Sequence, residues 1–168
     1  MEIDGTPTAA PEVTTSGFAI DSEGNFPILF RGPNVRSAKN AWALPSGLHE
    51  IGLTLAEQLA IELEEELGIV AEPRRSINIT TYENIACVDD WHWVINLQVV
   101  PVQTLSTLVN KEPHKHTAIE TVHYSQVLKP SFYNRAWTPG LGEAIRDNKE
   151  RIYEAMTSIL DRSSSKLR

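Results

Sequence analysis

Apolar residues recur at Ala56, Leu59, Ala60, Leu63 and Leu67, a spacing that puts all five on one face of a helix at about 100° per residue. The ends of that helix are also legible. Thr54 followed three residues later by Glu57 is a capping box, in which both side chains answer free N–H groups of the first turn. Gly68 is the residue type that best tolerates a left-handed cap. A turn, Pro45-Ser46-Gly47, leads in. A period of two runs from Trp91 to Val102: Trp91, Trp93, Ile95, Leu97 and Val99 fall on one face, and His92, Val94, Asn96 and Gln98 on the other. This is the strongest strand in the chain.

Shorter strands are expected from Gly17 to Ile20 and from Phe26 to Arg31, joined as a hairpin by the turn residues Asp21-Ser22-Glu23-Gly24-Asn25. Ile77 to Cys87, rich in Ile, Thr and Tyr, reads as a strand before the turn Val88-Asp89-Asp90, and Thr117 to Val122 as another. Pro130 to Trp137 reads as irregular. Thr138-Pro139 then offers an N-cap with Pro at the first helical position. A long helix is expected to follow, to about Leu160, with Leu141, Ile145, Ile152, Ala155, Met156 and Ile159 as its apolar stripe. Residues 1–16 read as a flexible tail and 163–168 as a frayed end, leaving one domain over 17–162. Strands flanking an acidic helix, with a second helix at the C-terminus, suit an α/β fold with a mixed sheet between helical layers.

Composition narrows the class. A chain of 168 residues with 41% hydrophobic positions is the size and make-up of one folded domain. Its net charge of −7 argues against a nucleic-acid binder that works by charge alone. A nucleotide ligand stays open, because a bound metal can supply local positive charge. The single cysteine, Cys87, provides no intrachain disulfide and fits a reducing compartment. No apolar run reaches the length of a membrane span, and the N-terminus lacks the basic start and apolar stretch of a secretory signal. The expectation is a cytoplasmic protein.

The helix carries the chemistry. Glu62, Glu65 and Glu66 stand at i, i+3 and i+4 and converge on the face beside the apolar stripe, with no Lys or Arg within a helical turn to compensate them. A solvated acidic face is one reading; a hard divalent cation held by carboxylate and carbonyl oxygens is the other. The stretch Leu44 to Ile69 resembles the signature of the Nudix hydrolase family, G-x5-E-x7-R-E-U-x-E-E-x-G-U with U an aliphatic residue. Gly47, Glu62, Leu63, Glu65, Glu66, Gly68 and Ile69 take the corresponding places. Leu53 stands where the family has its first Glu, and Ile61 where it has Arg. The approach Trp42, Leu44, Pro45 and Gly47 is similar to the family's W-x-L-P-x-G, and Asn110 to Lys115 resembles the N-x-E-P-x-K segment of several nucleotide-cleaning members.

The resemblance implies an α/β/α sandwich and a pyrophosphohydrolase. It would cleave a nucleoside diphosphate linked to another group, with nucleoside or deoxynucleoside triphosphates cut to monophosphate and pyrophosphate as the leading substrates. Nucleotide sugars, dinucleotides and capped RNA stay open. It implies Mg2+, with Mn2+ as an alternative, held by Glu62, Glu65, Glu66 and the backbone carbonyl of Ser46. Glu62, Glu66 and Glu112 would be catalytic, Glu112 as a ligand or general base, with Glu50 a weaker candidate. Gly47 lets the backbone approach metal and phosphates. Arg31, in a basic stretch with Arg36 and Lys39, could meet phosphate, and Trp91, Trp93 and Tyr82 offer stacking surfaces for a base. His49 could touch phosphate, and His114 and His116 flank Lys115 in a weak metal-like spacing. Family members are often dimers, so a homodimer is a candidate. Leu53 and Ile61 favour the second reading, a Nudix-fold module that binds a nucleotide without turnover; a purely structural domain is the third.

Overall fold

The helix expected after Pro45-Ser46-Gly47 forms over Leu55–Leu67 (α1) in a computed structural model that describes residues 2–3, 6–7, 10–86 and 91–165. Its capping box is complete: the Glu57 N–H donates to Thr54 Oγ1 at 3.1 Å and the Thr54 N–H to Glu57 Oε2 at 2.8 Å. Gly68 closes it at φ 67° with its N–H on the Glu64 carbonyl. Leu59, Leu63 and Leu67 are fully buried, which stabilises the fold by about 1.5–3 kcal/mol each.

The strands, in chain order, are β1 (Glu2–Ile3), β2 (Thr6–Pro7), β3 (Glu12–Ile20), β4 (Asn25–Arg31), β5 (Ala41–Ala43), β6 (Ser46–Leu48), β7 (Ile77–Ala86), β8 (Trp91–Pro101) and β9 (His116–His123). They form a mixed sheet of order β6-β3-β8-β7, an antiparallel sheet of order β5-β4-β9, and the small pair β1-β2. In the mixed sheet β3 runs parallel to β8, while β6 and β7 pair antiparallel at its two sides. After α1 come α2 (Pro130–Tyr133), α3 (Leu141–Asp147) and α4 (Lys149–Ser165).

Strand alternation divides the core in two. Ala19 and Val100 face α1, where they meet Leu59, Leu63, Leu67 and Ile69. Phe18, Ile20, Leu97 and Val99 face the other way, onto Ile145, Ile152, Met156 and Ile159 of α3 and α4. The result is the expected α/β/α layering. No helix among the described residues is long and apolar enough to cross a membrane.

Several local expectations change. Ser46 and Gly47, read as part of a turn, lie in β6, because they pair with Ser16 and Thr15 of β3. The stretches around the Asp21–Asn25 turn do not form a hairpin: β3 and β4 diverge into different sheets, β3 to β6 and β8, β4 to β5 and β9. The turn itself is tight, with Asp21 Oδ1 accepting from the Asn25 N–H at 2.9 Å. The strand expected from Gly17 begins at Glu12, because β8 is long enough to pair with it from Trp93 onward. The long C-terminal helix is broken. Gly140 at φ 84°, rather than Thr138, caps α3, and Asn148 ends it by donating from Nδ2 to the Ala144 carbonyl at 2.8 Å. Within the segment read as irregular, Pro130 starts the single turn of α2. Cys87 and the Val88-Asp89-Asp90 turn lie outside the described residues.

Gly17 sets how closely α1 approaches the sheet. A Cβ there would sit 2.5 Å from Leu59 Cδ2 and 2.8 Å from the Gln98 carbonyl oxygen. Gly17→Ala is therefore expected to destabilise the protein by about 1–3 kcal/mol, read as a lower denaturant midpoint with an unchanged slope.

Candidate active site

A cavity of about 980 Å3 is lined by residues of both larger sheets. Thr14 and Ser16 of β3, Trp93 and Ile95 of β8, Tyr82 of β7 and Arg31 of β4 contribute walls. The face of β8 that is core at Leu97 and Val99 thus becomes cavity wall at Trp93 and Ile95. Ser46, Gly47 and Glu66 line it beside α1.

The three glutamates of α1 have different surroundings. Glu66 is buried, at 8% exposure, and Glu62 is half-buried, whereas Glu65 is exposed. Gln58, fully buried, donates from Nε2 to Glu62 Oε1 at 3.1 Å while its Oε1 accepts from the Glu50 N–H at 3.0 Å. Glu62 rests against the Cα of Gly47, where any Cβ would collide with its carboxylate. Gly47 is needed here for space, since its φ is not in the left-handed region.

Burial, then repulsion from Glu112 and Glu62, pushes the Glu66 carboxyl up to about 8. Burial also raises Glu62, and the Gln58 hydrogen bond opposes that rise. Lys115 partly compensates Glu66. The cation missing from the helix comes from a loop almost 50 residues away.

That loop is docked on the carboxyl end of α1. The Val109 N–H donates to the Leu67 carbonyl at 2.9 Å, the Lys111 N–H to the Glu66 carbonyl at 3.0 Å, and Lys111 Nζ to the Glu64 carbonyl at 3.1 Å. The first two satisfy carbonyls that the helix leaves free, and the third adds to the Glu64 carbonyl that Gly68 already caps. They also bring Glu112 and His116 to Glu66: one ligand atom from each of the three lies within 4.8 Å of the others. Glu112 Oε1 accepts from Lys115 Nζ at 3.0 Å, while Glu112 Oε2 and His116 Nδ1 are buried without a hydrogen-bond partner. An unpaired buried polar atom costs roughly 1–3 kcal/mol. Both atoms belong to residues clustered with Glu66, and the three side chains together fit a divalent metal ion.

Of the residues singled out in the sequence, Arg31, Ser46, Gly47 and Glu66 meet at the cavity, with Tyr82 and Trp93 as its aromatic walls. Arg31 donates from Nε and Nη2 to the Ser37 carbonyl at 3.2 and 2.9 Å, closing the basic loop. Burial lowers its pKa, and nearby Glu66 favours its charged form. His49 does not reach the cavity lining: its Nε2 lies 2.6 Å from the Leu53 carbonyl and braces the loop before α1. Ile61 is 37% exposed on the outer side of α1. The side chain of Trp91 lies outside the described residues.

Sequence reasoning missed Gln58 altogether and gave His116 too little weight. The available signal was the four-residue spacing of Glu112 and His116 around Pro113, but Glu66, the third member, is 46 residues earlier in the chain.

Solved structures share this fold over most of the chain. A MutT NUDIX hydrolase from Burkholderia pseudomallei superposes with a TM-score of 0.63 at 20% identity, covering 82% of this chain and 97% of its own. The fold is the Nudix fold. The MutT protein from Methanosarcina mazei Go1 shares it with a TM-score of 0.60 at 19% identity over 87% of this chain and 96% of that one. A bifunctional NMN adenylyltransferase/ADP ribose pyrophosphatase from Francisella tularensis does so at 0.63 and 14% identity, over 88% of this chain and 43% of that one. No family model and no curated protein matches the sequence. Within this fold, Glu66 of α1 and His114, Lys115 and His116 of the docked loop form one wall of the cavity.

Without metal, the cluster opposes folding. Glu66 ionises near its ordinary value in the unfolded chain but only near pH 8 in the folded one. The folded state then binds the extra proton, so stability falls as pH rises from about 4.5 to 8. Glu66→Gln is expected to raise the melting temperature in a chelator, more at pH 8 than at pH 5. Calorimetry at the two pH values checks this.

Proposed function

We propose that the chain is a metal-dependent Nudix pyrophosphohydrolase acting on a nucleoside diphosphate linked to another group. Nucleoside or deoxynucleoside triphosphates, cut to monophosphate and pyrophosphate, are the leading substrates. The observation that carries this reading is Glu66, buried beside Glu62 and Glu112 at the wall of a large cavity. A domain with no metal chemistry would gain stability by dispersing these three carboxylates.

In this proposal Glu62, Glu65, Glu66 and the carbonyl of Ser46 hold Mg2+ or Mn2+, and Glu112 joins them or serves as the general base. When bound, the ion neutralises diphosphate charge and lowers the pKa of water. The chain's own groups do the rest. A carboxylate among Glu62, Glu66 and Glu112 takes a proton from water as the water oxygen bonds to phosphorus. The phosphoanhydride bond breaks, and its electron pair leaves with the departing phosphate oxygen. Arg31 faces the phosphates, Gly47 leaves room for Glu62, and Trp91, Trp93 or Tyr82 meets the base. The site is assigned to a cytoplasmic enzyme; a homodimer is compatible with it.

Gln58 supports activity despite Ile61. An aliphatic side chain cannot orient a carboxylate, but Gln58 already does so for Glu62 from one turn earlier. The binding-module reading draws on the same departures, Leu53 and Ile61, and differs in its product: none.

A metal-supplemented assay over nucleoside triphosphates, nucleotide sugars and dinucleotides, with products resolved chromatographically, tests the proposal. Turnover is expected to need a divalent ion and to fall about 10²–10⁴-fold in Glu66→Gln and Glu112→Gln, and about 10–100-fold in Gln58→Ala. A flat panel, with nucleotide bound and unchanged, would establish the binding module instead.

A further inference from the structure

The Asn110–His116 loop is built to present two side chains at once. Asn110 is its brace: Oδ1 accepts from the Glu112 N–H at 3.2 Å, and Nδ2 donates to the His116 carbonyl at 2.7 Å. The His116 N–H closes the turn on the Glu112 carbonyl at 3.0 Å. Residues four apart across such a turn project to the same side. Lys115 holds one oxygen of Glu112 and leaves the other free. From the opposite strand, Arg31 of β4 lies in register with His116 of β9.

His116 is the unexplained member. It is 4% exposed, its Nδ1 is buried without a partner, and it sits against two carboxylates. A histidine kept for packing is expected to satisfy its ring nitrogens with carbonyls or hydroxyls. A buried ring nitrogen with no hydrogen-bond partner, on a histidine clustered with two carboxylates, is a metal-ligand candidate.

We propose that Glu66, Glu112 and His116 form a mixed nitrogen–oxygen centre that takes a first-row transition ion, Mn2+, Co2+ or Zn2+, in preference to Mg2+. Carboxylate oxygens accept either class, but an imidazole nitrogen favours the transition ions, whereas Mg2+ prefers oxygen and water. The choice of ion is thus set by a residue outside the α1 glutamates. This inference rests on the metal-binding half of the proposed function and not on turnover.

The test is binding, followed without substrate. Mn2+ is titrated by electron paramagnetic resonance, Mg2+ is added in competition, and pulsed spectra are searched for nitrogen coupled to the Mn2+ spin. The parent protein is expected to bind Mn2+ at least about tenfold more tightly than Mg2+ and to show imidazole nitrogen coupling. In His116→Gln, with folding checked by calorimetry, the coupling disappears and Mn2+ affinity falls at least about tenfold, while Mg2+ affinity changes less than about threefold. The parent spectrum alone decides the matter if the variant does not fold. Mn2+ bound without nitrogen coupling, or displaced by equimolar Mg2+, overturns the inference and leaves the hydrolase reading standing. No binding of either ion overturns both.

Discussion

The site depends on holding Glu66 out of water beside Glu62 and Glu112. Like charges in a buried place repel, and here the cost shows as a carboxyl raised to about 8. The surrounding structure holds the arrangement in place. The apolar stripe of α1 is locked by Leu59, Leu63 and Leu67, so the helix cannot rotate its acids outward. Gln58 and Gly47 fix Glu62, and the docked loop fixes Glu112 through Lys115. Each restraint is local, but together they leave the carboxylates little freedom to relax apart.

The same loop bonds explain why the helix end and the site are one construction. Lys111 and Val109 satisfy carbonyls at the carboxyl end of α1. A basic side chain there also complements the negative end of the helix dipole. The contact that caps the helix is therefore the contact that delivers Glu112 and His116. Removing the loop's grip would unfasten both.

What could be read from the sequence was short-range. The capping box of Thr54 and Glu57, the αL stop at Gly68 and the period-two face of β8 depend on neighbours within a few residues, and the structure reproduces them. The β3–β4 hairpin was misread because turn chemistry at Asp21–Asn25 fixes a reversal without fixing which strands then pair; β3 finds its partner in β8, more than 70 residues on. The break at Asn148 was hidden because the apolar stripe continues across it from Ile145 to Ile152. In the site, Glu66 was legible from its helix, but its difference from the exposed Glu65 was not, since burial is set by the loop. His116 was visible only as a histidine near a lysine until the fold brought Glu66 to it. Leu53 and Ile61 looked like losses, and Gln58, which contacts Glu62, lies at a position the motif does not specify.

Diffraction from crystals grown with Mn2+ and a non-hydrolysable nucleoside triphosphate analogue, with data collected at the manganese absorption edge, would show whether the buried carboxylates hold an ion against the phosphates. An anomalous peak is expected within coordinating distance of Glu66 and a phosphate oxygen, with the base against the aromatic wall of the cavity. A nucleotide bound in the cavity with no anomalous peak near Glu66, Glu62 or Glu112 would contradict it.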